Sequence, residues 1–182
     1  MRKALVIGID SYEGSPLSGC VNDANLVAKC LERHENESVN CFVRKYLDVQ
    51  DKGTLKGHII DCFSGDAEIA LFYFSGHGYI DSVGGYIVTP DYSEHDMGVS
   101  MQEILAIVNN LQRKNKAVIL DCCHSGFMGN TTLVGHQMSV ISEGVTIITA
   151  SKSDESAIET GGHGVFTSLL LEALNGGASD VT

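Results

Sequence analysis

Two segments of the chain end apolar runs in residues that can do chemistry. They are Phe72-Tyr73-Phe74-Ser75-Gly76-His77-Gly78 and Ile119-Leu120-Asp121-Cys122-Cys123-His124-Ser125-Gly126. The first delivers an imidazole and the second a thiol, each just past a stretch that reads as a buried strand. In an open α/β fold the carboxyl ends of the strands line the ligand crevice, so His77 and Cys123 can meet there. A nucleophilic thiol needs access, a depressed pKa and a base within reach. The chemistry indicated is acyl transfer: thiolate attack on a carbonyl, imidazole protonation of the leaving group, and backbone N–H groups at Gly78 and Cys123 receiving the oxyanion. Taken singly, a buried cysteine is usually a small hydrophobe and a histidine a packing residue. Together the two segments are far more specific. Cys122 and His124 compete for the two roles. In a strand of period two, adjacent cysteines point oppositely, so only one of Cys122 and Cys123 faces the crevice. His124, directly after the thiol, suits an oxyanion-loop role better than that of the base.

The elements that must position these residues alternate along the chain. Strands are predicted over 4–9, 41–47, 68–74, 85–89 (ending at Pro90), 114–120 and 145–150. Helices are predicted over 21–34, 54–63, 101–111 and 165–174, with Gly176 and Gly177 closing the last one. Residues 11–20 read as a loop, and 127–144 as the stretch with the weakest pattern. Strands alternating with helices predict a mostly parallel sheet with helices on both faces. No linker suggests a second domain, so 1–182 is expected to be one domain, or the catalytic part of a longer protein.

The chain has 182 residues, 43% of them apolar, which suits a sizeable core and argues against disorder. A formal charge of -11 argues against a nucleic-acid partner, because phosphates repel such a surface. No apolar stretch of membrane-spanning length and no signal peptide is evident. The expectation is a soluble cytoplasmic protein, with its six cysteines in a reducing compartment. There is no CxxC pair, and adjacent Cys122 and Cys123 are poorly spaced for one zinc ion.

The two segments resemble those of the caspase-like cysteine peptidases, and of the metacaspase and bacterial metacaspase-like branch in particular. The family's histidine lies in a pattern like Tyr73-Phe74-Ser75-Gly76-His77-Gly78, and its nucleophile in one like Asp121-Cys122-Cys123-His124-Ser125-Gly126. Cys123 follows His77 by 46 residues, close to the roughly 50 of caspases. The Gln-Ala-Cys signature of caspases is absent, which favours the metacaspase side. The likeness extends to 4–9, 17–24, 150–157 and 164–167. It implies a caspase-hemoglobinase-like fold and a cysteine endopeptidase with His77 and Cys123 as the dyad.

The resemblance further implies an acidic S1 pocket that accepts Arg or Lys, at the positions of Cys20, Asp23, Ser75 and Asp121. Two carboxylates can hold a guanidinium by charge-assisted hydrogen bonds. The rival reading is that Asp23 caps its own helix and Asp121 orders loops. Ser151 and Asp154 are expected beside the substrate cleft, where backbone groups can pair with an extended peptide. No cofactor is expected to be required. Several metacaspases need calcium, and Asp91, Glu94 and Asp96 lie in one short stretch, but no EF-hand pattern is present. Expected partners are a peptide or protein with a basic P1 residue and a regulatory or sensor module, with no nucleic acid and no membrane. Two other functions fit the same cleft: a catalytically silent caspase-like scaffold, and a general thiol hydrolase or acyltransferase.

Overall fold

The computed structural model describes residues 1–109, 115–122, 144–150, 159–160 and 163–177. Five parallel strands form the central sheet: β1 (Arg2–Gly8), β2 (Phe42–Leu47), β3 (Ile69–Ser75), β7 (Lys116–Asp121) and β8 (Val145–Thr149), in the order β2-β1-β3-β7-β8. Helices α1 (Cys20–Glu32), α2 (Lys52–Phe63), α3 (Met101–Asn109) and α4 (Val165–Glu172) cover it. This is the mostly parallel, two-faced architecture that the alternation predicts.

The pleat sorts the strand residues between two cores. Leu5, Ile7, Phe72, Phe74, Val118 and Leu120 pack with Leu55, Ile59 and Phe63 of α2 and Ile104 and Val108 of α3. Ala4, Val6, Tyr73 and Ile119 pack on the other face, with Ala24, Val27, Ala28 and Leu31 of α1 and Phe166, Leu170 and Leu171 of α4. Each fully buried large apolar side chain contributes about 1.5–3 kcal/mol. Parity then assigns the strand ends: Ser75 falls on Tyr73's face and Asp121 on Ile119's, both towards α1 and α4.

The structure departs from the expectation after β3. Strand β5 (Gly85–Ser93) does not stop at Pro90, and it lies outside the parallel sheet. It pairs antiparallel with β4 (Gly78–Ile80) and β6 (Asp96–Ser100) in a separate three-stranded sheet. Pro90 is accommodated because the register with β6 breaks between Val88 and Ser93, where no ladder bond needs its missing N–H. Two-residue strands β9 (Glu159–Thr160) and β10 (His163–Gly164) pair just before α4. The last helix ends earlier than expected, and a wide turn over Ala173–Gly177 follows, with Gly176 at φ 98°.

The helices differ in how their first turns are satisfied. Asp51 caps α2 by accepting the Thr54 N–H at 2.8 Å. Ser100 and Glu103 form a reciprocal capping box on α3, each backbone N–H reaching the other's side chain at 3.1 Å. The residues at the caps of α1 and α4 are Gly19 and Gly164, which have no side chain to do this. Those two helices are capped by carboxylates from elsewhere in the chain, and both caps lie where β1, β3 and β7 end.

Candidate active site

The register aligns the strand ends. Gly8 of β1 pairs with Ser75 of β3, and Ser75 pairs with Asp121 of β7. His77 follows Ser75 by two residues and Cys123 follows Asp121 by two. Cys123, with His124, Ser151 and Asp154, lies outside the described residues. Cys122 is 1% exposed and belongs to the core on the α2/α3 face.

His77 is half-buried and held at three points. Its backbone N–H donates to the Tyr12 hydroxyl at 3.1 Å, its carbonyl accepts from Val88 N at 2.9 Å, and its Nε2 is 2.8 Å from the Ser15 carbonyl. A carbonyl only accepts, so Nε2 carries the proton in that bond. In the neutral ring Nδ1 is then the basic nitrogen. The Tyr12 ring lies against the imidazole, with centroids 4.5 Å apart at 60°. The Tyr12 hydroxyl also donates to the buried Val88 carbonyl at 3.2 Å. A Cβ at Gly76 would stand 2.6 Å from that hydroxyl, so glycine is required there for packing.

The loop carrying Tyr12 and Ser15 is tied down by two aspartates. Asp48, at φ 51°, accepts from Asp10 N at 2.9 Å and Ser11 N at 3.0 Å. Asp10 in turn accepts from Cys20 N at 2.9 Å and Val21 N at 3.3 Å, capping α1. Asp23 is therefore not the cap of its helix; its carboxylate reaches across to Gly164 N at 3.0 Å.

Cys20, Asp23, Ser75 and Asp121 are all buried, and they gather in one place. Burial pushes the Cys20 thiol up to about 12, partly offset by a hydrogen bond with Ser75 and reinforced by the charges of Asp10, Asp121 and Asp23. Burial also holds the Asp121 carboxyl above the usual carboxylate range, against the lowering effect of hydrogen bonds from Thr167. The Thr167 hydroxyl donates to Asp121 Oδ2 at 2.5 Å and contacts the Tyr73 hydroxyl at 2.6 Å. Gly78, next to His77, opens β4 opposite Ile87.

Two of the acidic residues between 91 and 96 contact the start of α2. Asp91 accepts from Lys52 N at 3.2 Å and from the Thr89 hydroxyl at 2.6 Å, and Asp96 pairs with Lys52 Nζ at 2.8 Å. Among the described residues no group of three or more His, Cys, Asp or Glu could hold a metal ion. None of their helices is long and apolar enough to cross a membrane, and none of the five described cysteines is in a disulfide.

Comparison with known families decides where this arrangement belongs. The family model for the caspase domain matches residues 1–182. The chain belongs to the caspase-domain peptidase family. No curated protein matches the sequence significantly. Sequence reasoning missed Tyr12, Ser15, Asp10, Asp48, Thr167 and Gly164. A carbonyl such as that of Ser15 leaves no mark in a sequence, whereas Thr167 was in view within the family-like stretch 164–167 without a role.

Proposed function

We propose that the chain is a cysteine endopeptidase of the metacaspase type that cleaves after Arg, with Lys also accepted. The observation that carries this reading is the state of His77. Its Nε2–H is committed to the Ser15 carbonyl, which leaves Nδ1 as the base on the strand end beside the one that leads to Cys123. Nδ1 takes the Cys123 proton, and the thiolate attacks the scissile carbonyl carbon. The oxyanion is received by backbone N–H groups at Gly78 and Cys123. The imidazolium then protonates the leaving nitrogen, the C–N bond breaks, and a thioester remains. Water, deprotonated by His77, hydrolyses that thioester and restores the thiol. Asp23 and Asp121 supply the negative charge for a basic P1 side chain, with Cys20 and Ser75 lining the pocket. Ser151 and Asp154 border the cleft.

Tyr12→Phe tests the anchoring of His77. It keeps the ring but leaves the His77 N–H and the buried Val88 carbonyl without their partner. The expected cost is about 1–3 kcal/mol of stability, read by thermal melting, with a parallel fall in kcat. An unchanged kcat would show that His77 needs no such anchor.

A second test concerns maturation. From Ala117 to Ser151 the chain contains no Lys or Arg. An enzyme that cleaves after basic residues has no site there, so active protein is expected to remain uncut through that stretch by intact-mass measurement. A cut within 127–144 in active enzyme contradicts both this expectation and the P1 assignment. Calcium dependence is tested directly, by titrating the ion against peptide turnover.

A further inference from the structure

The acid pair and the last helix share one set of contacts. Asp23 comes from the first turn of α1 and Asp121 from the end of β7, and both are buried. A Cβ placed on Gly164 would stand 2.8 Å from Asp121 Oδ2 and 3.0 Å from Asp23 Oδ2. The two carboxylates thus converge on one point, and only a glycine leaves room for both. Gly164 is the cap position of α4 and gives its N–H to Asp23. Three residues on, Thr167 gives its hydroxyl to Asp121. The pair therefore anchors the start of α4: Asp23 takes the Gly164 N–H in place of a side-chain cap, and Asp121 holds the first turn through the Thr167 hydroxyl.

Counting protons orders the chain of hydroxyls behind Asp121. An ionised carboxylate has no proton to give, so the one hydroxyl proton of Thr167 goes to Asp121 Oδ2. The 2.6 Å contact between Tyr73 and Thr167 is then donated by Tyr73. Both hydroxyl-bearing residues are buried, at 0% exposure each. Each donation favours the ionised carboxylate and fixes its plane. Among the described residues no Lys or Arg pairs with Asp121.

We propose that Thr167, backed by Tyr73, is a positioning residue for P1 recognition: it holds Asp121 ionised and oriented for a substrate cation, and it couples the seating of α4 to the pocket. The proposal rests on the basic-P1 reading above. A carboxylate has about four acceptor sites, and the Thr167 hydroxyl fills one on Oδ2, leaving others for an incoming guanidinium. Losing the hydroxyl weakens recognition of a cation and leaves recognition of an uncharged side chain of the same shape unchanged.

The test compares kcat/KM for matched peptides with Arg or citrulline at P1, because citrulline keeps the shape of arginine without its charge. In Thr167→Val the Arg-to-citrulline ratio is expected to fall about tenfold. Thr167→Ser, which restores a hydroxyl, should recover most of it. Tyr73→Phe, which removes only the rear donor, should lower the ratio two- to threefold by roughly the same logic, and it serves as the readout if the valine variant does not fold. An unchanged ratio in Thr167→Val (or in Tyr73→Phe, where that replaces it), or an equal fall in Val and Ser, overturns the proposal and leaves Thr167 a packing residue. Asp121→Asn in the same assay separates the two levels. If it collapses the ratio while Thr167→Val does not, only the positioning role fails. If it too leaves the ratio intact, or if wild type cleaves neither peptide, the acidic pocket fails and this inference with it.

Discussion

Replacing His77 by Ala is expected to lower kcat/KM for a basic-P1 peptide by about 10²–10⁴-fold, the usual range for a lost general acid–base group. Cys123→Ala should remove turnover altogether. The histidine is specified here by more than its type. Its ring is fixed by the Ser15 carbonyl at Nε2 and by the face of Tyr12, so its free nitrogen is Nδ1. A side chain without two ring nitrogens cannot serve both ends, so His77→Gln should fare little better than Ala. The paired measurement is alkylation of Cys123 by iodoacetamide across pH. If His77 assists ionisation of the thiol, the His77→Ala variant should react more slowly near neutrality and approach wild type as pH rises. Retention of full peptide turnover by His77→Ala would move the base elsewhere, with His124 the first alternative.

The second large effect concerns Asp121. Asp121→Asn is expected to cut hydrolysis after Arg by about 100-fold, as for loss of a desolvated charge-assisted pair, without destabilising the fold. The two halves of that statement have separate causes. Burial raises the carboxyl's pKa in the folded chain, although the Thr167 hydrogen bonds oppose the rise. The folded state therefore binds this proton more tightly than the unfolded one. Between the ordinary carboxylate value and the raised one, stability from this group falls as pH rises, and the penalty is complete above the raised value. Asparagine carries no such penalty and can still accept from Thr167. Its melting temperature relative to wild type should therefore rise from about pH 4 to about pH 7. A variant that loses both Arg cleavage and stability at neutral pH would mark Asp121 as the cap of α4 and nothing more. If both results hold, Asp121 keeps a binding function at a cost in stability, as is common for buried charges at active sites.

How much of this was legible beforehand follows the physics of each element. The apolar run ending at Ser75 and the one ending at Asp121 announced two buried parallel strands, because such strands lose their alternation when both faces are covered. Helix α1 was equally plain from Ala24, Val27, Ala28 and Leu31. The antiparallel sheet of β4, β5 and β6 was not, since β4 is three residues long and β6 begins in polar residues. Pro90 argued for a stop that a break in register made unnecessary. At the site, residue types were readable and their partners were not. Tyr73 looked like core because it sits inside an apolar run. Only its parity with Ser75, together with that of Ile119 with Asp121, could have placed a phenol beside the acid pair. The rival reading of Asp23 as a helix cap rested on its place in a first turn; Asp10 takes that work from a loop ten residues earlier than Cys20, a pairing no local pattern encodes.

The most direct test of the central claim is turnover of three fluorogenic peptides differing only at P1, with Arg, Lys or Asp, by wild type and by Cys123→Ala, each with and without calcium. Cleavage of the Arg peptide first, the Lys peptide second and the Asp peptide not at all, lost entirely in Cys123→Ala, is the predicted result. Cleavage of the Asp peptide, turnover that survives Cys123→Ala, or no turnover of any peptide under either condition would contradict the account.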